Sequence, residues 1–312
     1  MLSSCVDSRP LVGAETFDLS AFASLSLRVA VWTPPTPPRA VLFLVHGLSE
    51  HVGRWAQRAA WLADQLACVV VAADHRGHGL SGGERTHITN ETDLLADLVR
   101  VVSALSAARN ADFQLPTLVM GHSMGGLLAA AFVQFSVDRT LWPSVDQSVK
   151  LPPIRAYVLS APAMVSDQAW LLQKLAPVAA FLLPTLRLTP SIQGSQLAAD
   201  DAVGKAYFAD PLVSSSLALT ASFGKNLLAF MESARAPHRL AVMARSDCPR
   251  GFVYHGKDDT LVPIRASELL AAAIPSLTFV PLPNTRHEAQ LEPVADEILA
   301  QVVQFFKVQM EK

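Results

Sequence analysis

The segment Gly121-His-Ser-Met-Gly125 contains the residue types that point most directly to chemistry. It fits the pattern G-x-S-x-G and lies between the apolar run 117–120 and a helical apolar pattern over 126–135. A serine hydroxyl is a weak nucleophile unless a sharp turn exposes its Oγ, and flanking glycines permit the close backbone approach that such a turn needs. We therefore predict that Ser123 is a nucleophile. The alternative is an incidental serine in a glycine-rich turn.

A serine nucleophile needs a base that titrates near neutral pH, which is the property of histidine. Enzymes with this turn order their residues along the chain as nucleophile, acid and base. Three of the nine histidines follow the turn: His238, His255 and His287. We predict His287 as the base, because it follows the last predicted strand and so emerges at the same sheet edge as the serine. His255 is interpreted as packing beneath its loop, and His238 as part of a junction.

Two neighbouring carboxylates, Asp258 and Asp259, follow the strand before that one. One of them is needed to fix the imidazole tautomer and to stabilise its cation. Periodicity does not separate adjacent residues, but the third residue after the strand-ending Gly256 is the usual place in enzymes of this kind. This favours Asp259 and leaves Asp258 as a solvated loop residue or a helix cap.

Two backbone N–H groups are predicted to stabilise the oxyanion of a tetrahedral intermediate, since losing one such donor costs roughly 10²–10³-fold in rate. Met124 follows the nucleophile directly, and Leu48 lies in the loop after the apolar run 40–45. His46 and Gly47 are interpreted as shaping that loop.

The run Asp74-His-Arg-Gly-His-Gly79 brings two histidines close to an aspartate. Its glycines and its place at a strand end favour a tight loop over a metal site. The three cysteines are scattered and form no CxxC pair, which argues against a disulfide framework and a zinc site. We expect no metal and no organic cofactor.

The elements that must position these residues alternate between short apolar runs and amphipathic segments. Continuous apolar runs are typical of strands buried on both faces of a parallel sheet, which helices must cover. Such runs occur at 40–45, 68–73, 117–120, 156–159, 251–254 and 277–280. Residues 15–32, followed by a proline-rich turn, indicate an antiparallel hairpin. The pattern predicts an α/β doubly wound, mostly parallel sheet of about eight strands with helices on both faces.

The strand and helix rhythm stops over residues 165–235, which are rich in leucine, alanine, serine and proline. We predict an inserted helical cap there, on a core domain formed by residues 1–164 and 236–312. The most apolar cap stretch, 175–186, is broken by two prolines and is shorter than the ~20 residues that span a bilayer. The start of the chain lacks the features of a signal peptide.

The overall composition is apolar and weakly charged. Hydrophobic residues make up 51%, charged residues 17%, the mean hydropathy is +0.30 and the formal net charge is −2. Because charges are spread without long runs, nucleic acid is not expected as a partner. We expect a cytoplasmic protein, at most peripheral to membranes, and leave the oligomeric state open.

Three motifs together resemble the monoacylglycerol lipase and lysophospholipase group of α/β-hydrolases. They are His46-Gly-Leu-Ser-Glu-His51, Asp74-His-Arg-Gly-His-Gly79 and Gly121-His-Ser-Met-Gly-Gly126. The cap stretch Lys205-Ala-Tyr-Phe-Ala-Asp-Pro-Leu212 extends the likeness, which covers residues 20–305. The resemblance implies an α/β-hydrolase fold and the same triad and oxyanion donors. The leucine and serine after His46-Gly47 depart from the small residues of many relatives, which leaves the width of the acyl pocket open.

The resemblance implies hydrolysis of esters with a single acyl chain through an acyl-serine intermediate. Monoacylglycerol is the first expected substrate, and lysophospholipid or a smaller carboxylic ester the next. The oily cap run 169–184 suggests an acyl tunnel whose rim transiently contacts a membrane or micelle, with plain cap packing as the alternative. A serine aminopeptidase of the same fold would need acidic cap residues to hold an ammonium group. A non-catalytic lipid-binding or partner-binding scaffold is the alternative from another class.

Overall fold

The computed structural model describes residues 11, 13–22, 25–108, 114–167, 177–189, 192–214 and 217–311. Its strands are β1 (Ala14–Phe22), β2 (Leu25–Trp32), β3 (Ala40–Val45), β4 (Cys68–Ala73), β5 (Thr117–His122), β6 (Ile154–Ser160), β7 (Arg187–Leu188), β8 (Leu219–Thr220), β9 (Arg250–Gly256) and β10 (Thr278–Leu282). Eight of them form one sheet in the order β1-β2-β4-β3-β5-β6-β9-β10. The hairpin β1–β2 and the pair β2–β4 are antiparallel, and the other neighbours are parallel. The predicted α/β-hydrolase type of sheet is confirmed.

Helices cover both faces of this sheet, and further helices lie in the segment between β6 and β9. Their bounds are α1 (Ala56–Leu66), α2 (Asp93–Ala108), α3 (Met124–Val137), α4 (Gly194–Leu197), α5 (Asp201–Ala209), α6 (Pro211–Ser214), α7 (Ala221–Ala234), α8 (Pro237–Met243), α9 (Arg265–Ala273) and α10 (Ala295–Met310). Buried residues of α1 and α10 share a core cluster on one face, and those of α2, α3 and α9 share a cluster on the other. The chain is thus doubly wound, as the alternating pattern predicts.

The central strands show why the apolar runs are continuous. All six residues of β3 and of β5 are buried. In β3, Val41, Phe43 and Val45 belong to one core cluster, while Leu42 and Leu44 belong to the other. Because successive side chains of a strand point to opposite faces, a strand covered on both sides is apolar at nearly every position. The buried polar residues of β5, Thr117 and His122, stand at its two ends.

The cap lies between β6 and β9 and contains helices α4 to α7 together with helical residues 177–182. It also contains a two-stranded antiparallel ribbon, in which Arg187 pairs with Thr220 and Leu188 with Leu219. The sequence pattern predicts only helices in this region, since strands of two residues are too short to show an alternating period. None of the helices in the described ranges is long and apolar enough to cross a membrane.

Candidate active site

Ser123 occupies the sharp turn between β5 and α3, with φ 55° and ψ −121°. A positive φ is sparsely populated by residues other than glycine, so the surrounding packing must impose it. A Cβ atom added to Gly125 would overlap the carbonyl oxygen of Val45, and one added to Gly121 would overlap the carbonyl oxygen of Gly125. Both glycines therefore let α3 begin directly against the ends of β3 and β5. This turn lifts the serine to the sheet edge, as the motif predicts.

The structure brings the three predicted side chains together. Nε2 of His287 lies 3.0 Å from Oγ of Ser123, and Nδ1 of His287 lies 2.7 Å from Oδ2 of Asp259. Because a carboxylate accepts, Nδ1 carries the proton and Nε2 keeps its lone pair toward the serine hydroxyl. This is the tautomer that a base for the serine requires.

The structure places Asp259, and not its neighbour, at the imidazole. The Asp259 side chain is fully buried, whereas Asp258 is exposed. Oδ1 of Asp259 accepts from the backbone N–H groups of Leu261 at 2.8 Å and Val262 at 2.9 Å. Burial alone would raise the pKa of Asp259, but the charge of His287 and hydrogen bonds from two histidines lower it well below its usual range. The carboxylate is therefore ionised wherever the histidine can act as a base.

Several groups set the protonation of His287. Burial alone would lower its pKa, but the charge and hydrogen bond of Asp259, with the charges of Glu288 and Glu50, raise it. The ring of His122 lies 4.8 Å from that of His287, centroid to centroid, and burial lowers the pKa of His122 to about 4. His122 therefore stays neutral beside the base at neutral pH.

This electrostatic environment predicts the pH dependence of any reaction that uses His287 as a base. The imidazole works only when unprotonated, so kcat/KM for a short soluble ester should rise through an apparent pKa above the usual histidine value of about 6.5. The variant Glu288→Gln loses one of the charges that raise the pKa of His287, so the acid limb of its pH profile should move to lower pH. A wild-type limb below about 6 would contradict the assignment.

Leu48 and Met124, the predicted oxyanion donors, belong to the two chain segments that adjoin the nucleophile. A Cβ atom added to Gly47 would stand 3.1 Å from Cβ of Ser123, so the loop after β3 directly adjoins the serine. Met124 begins α3. Within the described ranges, neither N–H has a hydrogen-bond acceptor. The two donors are thus free to bind an oxygen, and their role remains a prediction.

A buried ionic cluster supports this loop, and the sequence analysis does not predict it. Oε2 of Glu50 accepts from the N–H of Gly47 at 2.8 Å and from Nε1–H of Trp55 at 3.3 Å. Arg54 donates to both carboxylate oxygens of Glu288 at 2.7 and 2.6 Å. Burial and the nearby Glu50 charge raise the pKa of Glu288 to about 7. Glu50 lies within the motif His46–His51, but the sequence gives no sign that this charged loop residue is buried.

Hydrogen bonds connect the cap to the loop that carries His287. The N–H of Glu288 donates to the carbonyl of Leu197 at 2.8 Å, and Arg286 donates to the carbonyl of Ala198 at 2.7 Å. The N–H of Ala199 donates to Oε1 of Glu292 at 3.0 Å. The position of the candidate base therefore depends on the cap as well as on the sheet.

The two histidines of the Asp74–Gly79 loop have different partners: Nδ1 of His78 lies 3.0 Å from the Arg76 carbonyl oxygen of the same loop, whereas His75 contacts the loop after β3. His75 donates its backbone N–H to Nε2 of His46 at 3.0 Å, and its Nε2 lies 2.9 Å from the His46 carbonyl oxygen. Asp74 accepts from the N–H of Val52 and of Leu80, each at 2.7 Å. Among the residues that the structure describes, no group of His, Cys, Asp and Glu side chains is arranged to hold a metal ion.

Comparison with known proteins gives consistent results. The model of the family described as serine aminopeptidase, S33, matches residues 36–294. A monoacylglycerol lipase of Mycolicibacterium smegmatis is 32% identical over 88% of this chain and 91% of its own, and the rat monoglyceride lipase is 30% identical over 78% and 73%. The crystal structure of Paleococcus ferrophilus monoacylglycerol lipase has a TM-score of 0.74 at 23% identity, covering 91% of this chain and 99% of its own. A soluble variant of the Saccharomyces cerevisiae monoglyceride lipase, in complex with a substrate analogue, has a TM-score of 0.77 at 19% identity and covers 95% of each chain.

Proposed function

Because this chain belongs to the serine aminopeptidase S33 family and to its monoacylglycerol-lipase-like α/β-hydrolases, we propose that it hydrolyses carboxylic esters with a single acyl chain. Monoacylglycerol is the leading substrate. The observation that carries the proposal is the chain of two hydrogen bonds from Ser123 through His287 to Asp259, 3.0 and 2.7 Å long. It is the arrangement that turns a serine hydroxyl into a nucleophile.

The reaction proceeds in two half-reactions. Oγ of Ser123 attacks the ester carbonyl carbon while its proton passes to Nε2 of His287, and the carbonyl oxygen becomes an oxyanion held by the N–H groups of Leu48 and Met124. The intermediate collapses, His287 returns the proton to the leaving alcohol, and an acyl-serine remains. Water, deprotonated by the same imidazole, then attacks the acyl carbonyl carbon. The second intermediate collapses as His287 returns this proton to Oγ of Ser123, which releases the fatty acid and restores the free serine.

The surface of the cap supports a lipid substrate. Residues 177–189 place six large apolar side chains in solvent: Val178, Phe181, Leu182, Leu183, Leu186 and Leu188. Phe181 is 85% exposed and Leu182 is 65% exposed, so both face outward and neither lines an enclosed tunnel. Contiguous exposed apolar side chains of this kind mark sites of contact with membranes or other partners. We propose transient contact of this surface with a membrane or micelle; the part of the run at 169–176 lies outside the described residues.

Three acidic residues of the described cap already have hydrogen-bond partners, which weakens the case for aminopeptidase chemistry. Asp210 is paired with His51 at 2.9 Å, and Asp167 is paired with Arg265. Asp200 accepts from the N–H of Ala202 at 2.8 Å as a helix cap. Carboxylates with such partners are poorly placed to bind a substrate ammonium group.

We further propose that residues 165–235 act as the cap, and that the protein works in the cytoplasm. The cysteines in the described ranges, Cys68 and Cys248, are both buried and unpaired. Free thiols are the usual state in a reducing compartment.

The substrate class is tested with a parallel panel: p-nitrophenyl esters from C2 to C16, 2-oleoylglycerol, a lysophosphatidylcholine and an aminoacyl anilide. We expect the highest kcat/KM for 2-oleoylglycerol and no hydrolysis of the anilide, with Ser123→Ala as the blank. A preference for lysophosphatidylcholine would make the protein a lysophospholipase. Cleavage of the anilide alone would refute the ester proposal.

The same panel tests the membrane contact. The double variant Phe181→Ser, Leu182→Ser should lose about tenfold or more in activity on 2-oleoylglycerol in vesicles, since full burial of each such side chain contributes ~1.5–3 kcal/mol. Its activity on p-nitrophenyl acetate should stay unchanged. Val308→Ser, at another exposed apolar position but on α10, is the matched control. Equal losses on both substrates would exclude a role at the lipid surface.

A further inference from the structure

A second histidine contacts the carboxylate that holds His287. His255 lies in β9 and is completely buried. Its Nε2 is 3.2 Å from Oδ2 of Asp259 and 2.9 Å from the carbonyl oxygen of Val262. Since both partners are acceptors, Nε2 must carry a proton and donate it to them. The same Oδ2 therefore accepts from His255 and from His287.

The ring of His255 is held from its other side by α9. Its Nδ1 lies 2.8 Å from Oγ of Ser267, which is itself completely buried. Two bonded nitrogens leave an imidazole little freedom to tilt. The donor that His255 offers to Asp259 is therefore fixed by β9, by α9 and by the loop at Val262.

The effect on Asp259 follows from the geometry of a carboxylate. Its plane can rotate about the Cβ–Cγ bond, and its oxygens offer about four lone-pair directions. The N–H groups of Leu261 and Val262 occupy Oδ1, and Nε2–H of His255 occupies one side of Oδ2. The direction left on Oδ2 is the one that meets Nδ1 of His287.

We propose that His255 is a positioning residue of the catalytic site, which fixes the rotation of the Asp259 carboxylate and so the orientation of His287. The inference rests on the proposed function, because it assigns His255 a role in that same reaction. His255 does not touch the substrate. It acts on the base through Asp259.

The test compares His255→Leu, which removes the donor and keeps the bulk, with His255→Gln, whose amide N–H can take the place of Nε2–H. In His255→Leu we expect kcat for p-nitrophenyl acetate to fall about 10- to 100-fold, the range for a lost hydrogen bond to a charged group. A carboxylate with one donor fewer holds the His287 proton more firmly, so the acid limb should move to higher pH. His255→Gln should recover most of both effects.

The proton NMR resonance of Nδ1–H in His287 gives a readout that overall stability does not move. It should shift or broaden in His255→Leu and return in His255→Gln. Glu288, Glu50 and His122, the other groups that face His287, are unchanged in both variants. Ser267→Ala, which frees the far side of the ring, should show a smaller effect in the same direction, and it tests the proposal even where His255→Leu fails to fold.

The proposal is overturned if folded His255→Leu keeps the wild-type kcat and acid limb, or if His255→Gln is as impaired as the leucine variant. An unchanged resonance and pH profile in Ser267→Ala would also count against it. If the wild-type protein shows no hydrolysis that depends on Ser123, the proposed function fails instead. The NMR comparison would still report whether His255 orients the pair.

Discussion

Replacing Ser123 by alanine should lower kcat for ester hydrolysis by about 10⁶-fold, the scale seen when a serine nucleophile acting with its histidine is removed. The alanine variant cannot form the acyl-enzyme, so only binding and the oxyanion donors remain to accelerate attack by water. The fold should persist, because the φ of 55° at this position is set by Gly121 and Gly125 and by the packing of α3. The measurement is p-nitrophenyl acetate hydrolysis alongside the thermal midpoint.

Covalent labelling separates an enzyme from a binding scaffold in the same experiment. A fluorophosphonate should phosphonylate Oγ of Ser123, the new P–O bond replacing the P–F bond with loss of fluoride, and the alanine variant should take up no label. Ser136→Ala is the matched control, since its hydroxyl lies on α3, the helix that follows Ser123, and donates to the Val133 carbonyl. Labelling that persists in Ser123→Ala, or that is absent in the folded wild-type protein, would mean that the serine is not an activated nucleophile.

The parts of the fold that the sequence predicts are those whose burial is uniform. β3 and β5 are covered on both faces, so β3 stands out as an unbroken apolar run and β5 as the shorter apolar run 118–120. The ribbon of β7 and β8 gives no such signal, because each strand has two residues and its pairing depends on partners more than thirty positions apart along the chain. A sequence pattern predicts a helix or strand when the burial of its residues repeats along that element. It does not predict elements whose pairing depends on distant parts of the chain.

The same distinction applies within the candidate site. The turn around Ser123 is formed by neighbouring residues, and its glycines in the sequence indicate the close backbone contacts that the structure shows. The bonds between Arg54 and Glu288 join residues 234 positions apart, and no spacing rule links them. His255 is an intermediate case, since its place at a strand end predicts burial beneath the loop but not its bond to Asp259.

Sequence spacing gives little physical reason to prefer Asp259 over Asp258 as the residue that orients His287. The structure separates the two and makes the preference testable. Asp258 and Asp259 share the same loop, but only Asp259 is buried and accepts four hydrogen bonds, two from backbone N–H groups and two from histidines. Asp259→Asn should lower kcat about 10⁴-fold, while Asp258→Asn should stay within about twofold of the wild-type protein.

The reason for the large effect is the tautomer of His287. In Asp259→Asn the amide oxygen can still accept from Leu261 and Val262, which directs the amide NH₂ toward Nδ1 of His287, while Nε2–H of His255 keeps the Val262 carbonyl as its acceptor. Nδ1 must then accept, the ring proton moves to Nε2, and no lone pair remains to take the proton of Ser123. The loss should appear in kcat, with KM for a short ester nearly unchanged. If Asp259→Asn and Asp258→Asn proved equally active, the role of the buried carboxylate in orienting the base would be wrong.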